Sequence, residues 1–144
     1  MNRALTTLLS ACAVLAGCAT ATEPPPPSRV KIAPPANYLA PQTICDNCAA
    51  FTFARDEGMP SSLNSIYISV DGTDRLMLDV SQTGTIYVEP GMREVCLQSG
   101  PRSMTFPECE DIEVKANSTH RHRIAFDATG KMFWMRKLKP EQTK

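Results

Sequence analysis

From Ile66 onward the chain alternates apolar and polar residues with period two. Ile66, Ile68 and Val70 alternate with Tyr67 and Ser69, Leu76, Leu78 and Val80 with Met77 and Asp79, and Ile86 and Val88 flank Tyr87. Val95 and Leu97, Ile112 and Val114, and Ile124 and Phe126 repeat the spacing, and Met132, Trp134 and Arg136 interleave with Phe133 and Met135. Such alternation marks strands with one buried face. Turn signals separate them: Asp71-Gly72, Thr83-Gly84, Pro90-Gly91, Ser99-Gly100-Pro101, Ala116-Asn117-Ser118 and Thr129-Gly130. Short strands at this spacing, with no convincing helical stripe, predict an all-β domain: a small antiparallel sandwich or barrel of about seven strands.

The amino terminus obeys a different rule. Arg3 precedes an uncharged apolar run, Ala4 to Leu15, too short to span a bilayer, which is the anatomy of a secretory signal. Leu15-Ala16-Gly17-Cys18 closes it and resembles the lipobox of bacterial lipoproteins. That resemblance implies cleavage after residue 17 and acylation of Cys18, where two or more chains suffice for stable anchoring. Ala19 in the sorting position implies the outer membrane, lipid-anchored and facing the periplasm.

Residues 19–41 hold seven of the twelve prolines and one aromatic, Tyr38. So little apolar surface predicts a disordered tether across residues 18–41, with a reach of about 70 Å if it were fully extended polyproline II. A ligand for a groove that binds proline-rich helices is the competing reading. Residues 42–144 suffice for one modest domain.

Within that domain, Ile66 to Gly72 and then Gly84 to Cys96 resemble β-sandwich domains of the PEGA type and related envelope lipoproteins. Arg123 to Met132 is similar to their last hairpin. The likeness is one of strands and turns, and it implies an envelope binding module with no catalytic residue to carry over.

Cys12 leaves with the signal and Cys18 takes lipid, so Cys45, Cys48, Cys96 and Cys109 remain to form two disulfides in an oxidising compartment. Of three connectivities, Cys96 with Cys109 is expected. Closing a loop near that length stabilises by about 3 kcal/mol in the chain-entropy model. Cys45-Asp46-Asn47-Cys48 then reads as a structural bridge. A redox role would need a helix amino terminus to lower the first thiol's pKa, and Asp46 would raise it. A four-thiol zinc site lacks a second pair with ligand spacing.

His120 and His122 share a strand face with Ile124 and Phe126, and a metal held with Asp127 is less expected than a place at the strand's fraying end. Asn117-Ser118-Thr119 fits a glycosylation sequon that a bacterial lipobox makes idle. No metal, cofactor or nucleophilic triad is expected.

Overall neutrality hides a polar chain. Residues 42–114 carry four basic against twelve acidic side chains, and residues 115–144 eight basic against two acidic. Opposite charges on neighbouring strands are one reading. The other is a basic partner-binding face of Arg121, Arg123 and Arg136. The partners expected are the membrane, through lipid, and a periplasmic or outer-membrane protein, peptidoglycan or lipopolysaccharide, with no nucleic acid. The expected function is therefore a non-catalytic binding or assembly module. The alternative is a periplasmic enzyme inhibitor, or a thiol-disulfide accessory protein using Cys45 and Cys48.

Overall fold

Two facing sheets bury the apolar positions of the alternating pattern, in a computed structural model that describes residues 22–42, 44–58, 64–100, 106–127 and 129–136. Of residues 133–136 it describes the backbone. The strands are β1 (Lys31–Ile32), β2 (Ala49–Arg55), β3 (Ile66–Val70), β4 (Thr73–Leu78), β5 (Gln82–Val88), β6 (Gly91–Ser99), β7 (Glu108–Val114), β8 (Thr119–Phe126) and β9 (Met132–Arg136). One sheet has the order β1-β5-β2-β8-β9 and the other β4-β3-β6-β7. The fold is an all-β sandwich, as the alternation predicts.

The expected strands correspond to β3 through β9, and the structure adds two. Strand β2 is the middle strand of its sheet, with Ala49, Phe51, Phe53 and Arg55 pointing inward. Two of those four inward residues are not large apolar ones, which weakens the pattern. The β1–β5 and β2–β8 pairs are parallel, a departure from the purely antiparallel expectation. A parallel pair needs a long crossover, and here strands β3 to β7 supply it for β2 and β8.

The Asp71-Gly72 signal is a two-residue hairpin turn with both residues at positive φ, 49° and 74°, as a type I′ turn requires. Thr83-Gly84 is not a turn. Both residues lie inside β5, and the chain instead reverses at Asp79 to Gln82, where Ser81 adopts φ 61°. Gly84 is there for space: a Cβ would lie 2.9 Å from Leu76 Cδ2, 3.0 Å from Leu76 Cδ1 and 3.4 Å from Ala33 Cβ. Leu76 is fully buried, so Gly84→Val is expected to destabilise by about 1–3 kcal/mol through overpacking, measured as a lower denaturation midpoint at unchanged m-value.

Arg55 joins the layers across the core. Its Nη1 donates to the Leu78 carbonyl at 2.8 Å, and its guanidinium lies 5.8 Å from the Phe126 ring centroid. Burial pushes this guanidinium below its ordinary pKa, and the charge of Asp79 opposes that shift.

The largest correction concerns the proline-rich segment. Residues 22–41 are a strap built into the fold, not a free tether. Glu23 and Glu57 exchange two backbone hydrogen bonds, Lys31 N–H donates to Ser81 O and Ala33 N–H to Thr83 O. A short 3-10 turn, Pro27–Arg29, leads into the Lys31 contact, and a second, Pro35–Asn37, lies between the β5 contacts and those with β4 of the other sheet. Buried Asn37 donates to the Met77 carbonyl at 3.0 Å and to Gln82 Oε1 at 2.9 Å. Leu39 N–H donates to Arg75 O, and Tyr38 bridges Leu76. Proline suits such a strap because it presets extended backbone on an edge that needs few donors. Composition predicts disorder for a segment that must fold alone, and this one folds against an existing sheet.

The strap begins at one end of the sandwich. There buried Thr22 Oγ1 accepts from Phe126 N–H at 2.8 Å and lies 3.1 Å from Asp56 Oδ2. It finishes at the opposite end, at Ala40 and Pro41.

Candidate functional site

Cys18 and the signal run lie outside the described residues. The other four cysteines form the two expected bridges. Cys96 and Cys109 face each other directly in the β6–β7 register with Cα atoms 4.0 Å apart. Cys45 and Cys48 close a tight loop, Cα atoms 5.1 Å apart, that leads straight into β2. The motif thus opens a strand, and a strand does not supply the helix dipole that a redox thiol uses. Asn117 N–H donates to Asn47 O, which ties this loop to the β7–β8 turn.

The three arginines fare differently. Arg121 is exposed. Arg123 projects from the same strand face, but its Nε and Nη2 grip Asp56 at 2.7 and 2.6 Å, and Asp56 is buried. This pair realises the alternative of opposite charges meeting between neighbouring strands. Arg136 is described as backbone only. In the β8–β9 register it stands opposite His122, while Met135 stands opposite Arg123. Direct cross-strand partners share a face, so this register does not bring Arg136 beside Arg121 and Arg123.

His120 and His122 are not at a fraying end. His122 is buried on the inward face of β8, its ring 5.1 Å from that of Phe53, and His120 stacks 4.2 Å from Phe51. His120 Nε2 also lies 2.8 Å from Ser118 Oγ. Asp127 instead organises the β8–β9 turn. Its Oδ1 accepts from the Thr129 hydroxyl and from the Thr129 and Lys131 amides. The Thr129 hydroxyl bond is the largest cause holding that carboxyl below its ordinary pKa.

The described residues contain a cleft that the sequence does not announce. It lies at the end of the sandwich opposite Thr22, with a volume near 460 Å³. Ala40 and Pro41 of the strap form one wall and Cys48 of the disulfide loop another. The β3–β4 turn contributes Val70, Asp71 and Thr73, and the β5–β6 turn contributes Val88, Glu89 and Arg93, while Arg75 and Tyr87 lie between. That volume is within the usual range for small-molecule sites, roughly 300–1,000 Å³.

Two guanidinium groups line this cleft, and their surroundings differ. Arg93 is engaged at all three nitrogens: Nη1 reaches Asp71 Oδ2 at 3.0 Å, Nη2 reaches Glu89 Oε2 at 3.4 Å and the Pro90 carbonyl at 3.1 Å, and Nε donates to the Glu89 carbonyl at 3.0 Å. Asp71 Oδ1 is taken by the Glu94 amide. Arg75 is half-buried, and among the described residues its guanidinium makes one hydrogen bond, Nη2 to the Tyr87 carbonyl at 3.2 Å. Its Nε is buried without an acceptor, and it pairs with no carboxylate among the described residues. In the sequence Arg75 is one polar position in an alternating strand, and nothing there signals an incomplete set of partners.

Comparison with protein-family models, with curated proteins and with solved structures finds no match for this chain.

Proposed function

We propose that the chain is an envelope lipoprotein, anchored through Cys18, whose sandwich is a non-catalytic binding module for a periplasmic or outer-membrane partner. The observation that carries this reading is the placement of the cleft at the end of the domain opposite Thr22. Three residues lie between Cys18 and Thr22, four steps with a reach of at most about 14 Å at roughly 3.6 Å per step. An acylated Cys18 therefore holds the Thr22 end against the bilayer and turns the cleft away from it. The seven-residue strand β2 runs from one end to the other, a rise of roughly 20 Å at about 3.3 Å per residue. The strap thus supplies orientation where a loose tether would supply reach. The lipobox resemblance at residues 15–18 and the position of Ala19 support the outer membrane.

Cys18→Ala tests this. The variant is expected to appear in the soluble periplasmic fraction, without the mobility shift of acylation, because two acyl chains are what make anchoring stable. A variant that stays in the membrane fraction with unchanged mobility removes the lipoprotein reading.

A further inference from the structure

We propose that Arg75 receives a carboxylate, and that the cleft takes a peptide with a free carboxyl terminus. The inference rests on the binding-module reading and names the ligand class of its site.

The argument starts from an unfinished interaction. A guanidinium has five N–H donors and keeps its charge at any physiological pH. Enclosing such a group without an acceptor is unfavourable, since a charged donor left unsatisfied forfeits its hydration and gains nothing in return. Arg75 Nε is in this position, and a single carbonyl serves the rest of the group. Arg75 lines the cleft, and an acceptor for its remaining Nη donors can enter there.

The chemistry of the walls decides which acceptor fits. The two Nη groups form a planar fork that matches two carboxylate oxygens, with Nη2 keeping its other hydrogen on the Tyr87 carbonyl, while the enclosed Nε reports on the contact. Asp71 and Glu89 are held by Arg93 rather than by Arg75, so they do not compete for that fork. Their negative charges remain close to it, and they oppose a doubly charged phosphate more than a singly charged carboxylate. Val70, Val88, Ala40 and Pro41 offer apolar contact to the body of the ligand. The cleft volume suits two or three small residues. A short peptide ending in small apolar residues meets all of these conditions.

The source is either an ordinary L-peptide end or a cell-wall peptide ending in D-residues, and both present the same carboxylate. The full-length chain in detergent is titrated with N-acetyl-trialanine, with N-acetyl-lysyl-D-alanyl-D-alanine, with the carboxamide of each, and with inorganic phosphate. Binding is monitored through the Arg75 Nε–H resonance, assigned by its absence in Arg75→Met. At least one acid is expected to bind tenfold or more tightly than its own amide and to shift that resonance. Whichever acid binds identifies the source. Arg75→Met is expected to abolish the preference, and Arg75→Lys, which keeps the charge without the fork, to retain part of it. The proposal is overturned if neither acid exceeds its amide, if the preference survives in a folded Arg75→Met, or if phosphate shifts the resonance more than either acid. The readout does not depend on acylation. Failure here leaves the membrane test standing, and failure of Cys18→Ala to leave the membrane does not touch this titration.

Discussion

A chain that begins at Gln42 is expected to be less stable than one that begins at Ala19 by about 3 kcal/mol, a fall in Tm on the order of 15 °C for a domain of this size. The shorter chain keeps all strands from β2 to β9 and loses the strap. With the strap go the two Glu23–Glu57 backbone bonds, the Lys31, Ala33 and Leu39 donors, and both side-chain bonds of buried Asn37. Each such bond contributes about 1 kcal/mol net, and the burial of Thr22, Ala33 and Asn37 adds to them against the entropy of ordering the strap. Ala33, which packs at the Gly84 gap beside Leu76, goes as well. The acceptors at Ser81 and Thr83 would then face water along an open β5 edge, and that of Arg75 along the β4 edge, the kind of edge that pairs with other chains. Denaturant unfolding of the two chains side by side gives the comparison. Equal midpoints would mean that the strap rests on the domain without supporting it.

The strap shows where reading the sequence succeeds and where it stops. Alternation finds β3 to β9 because each strand buries one face, and burial is a local requirement written every second residue. It passes over β2 because Ala49 and Arg55 occupy inward positions beside Phe51 and Phe53. Arg55 is acceptable there only because Leu78 O and the Phe126 ring come from other strands. The tether fails for the same reason. Thr22, Ala33 and Asn37 carry no apolar signal, yet each is buried against residues distant in sequence. Gly84 looks like a turn residue, and only the nearness of Leu76 shows that it makes room. Cysteine arithmetic does better because even number and loop length are properties of the chain itself. The cleft is illegible, since it is defined by what Arg75 lacks, and a missing partner has no sequence pattern.

Asp56→Ala is expected to destabilise the domain by about 3–5 kcal/mol, the range for removing one partner of a buried ion pair. Asp56 is 4% exposed and serves three groups at once: Arg123 Nε, Arg123 Nη2 and the Thr22 hydroxyl. Its removal strands the Arg123 guanidinium, whose side chain is only 19% exposed, between β2 and β8. It also loosens the Thr22 end of the strap. Arg123→Glu is expected to be at least as severe, because it sets two carboxylates against each other where the pair now sits. Restoring neutrality separates the charge from the packing. The double variant Asp56→Ala with Arg123→Met leaves no buried charge uncompensated, and it is expected to recover a substantial part of the loss. Equilibrium denaturation of the unaltered chain, Asp56→Ala, Arg123→Met and the double variant closes the cycle. A coupling near zero would show that Arg123 is free to meet a partner, as a basic docking face requires. A coupling of several kcal/mol fixes Arg123 as a brace of the fold and leaves Arg121 as the arginine of β8 available at the surface.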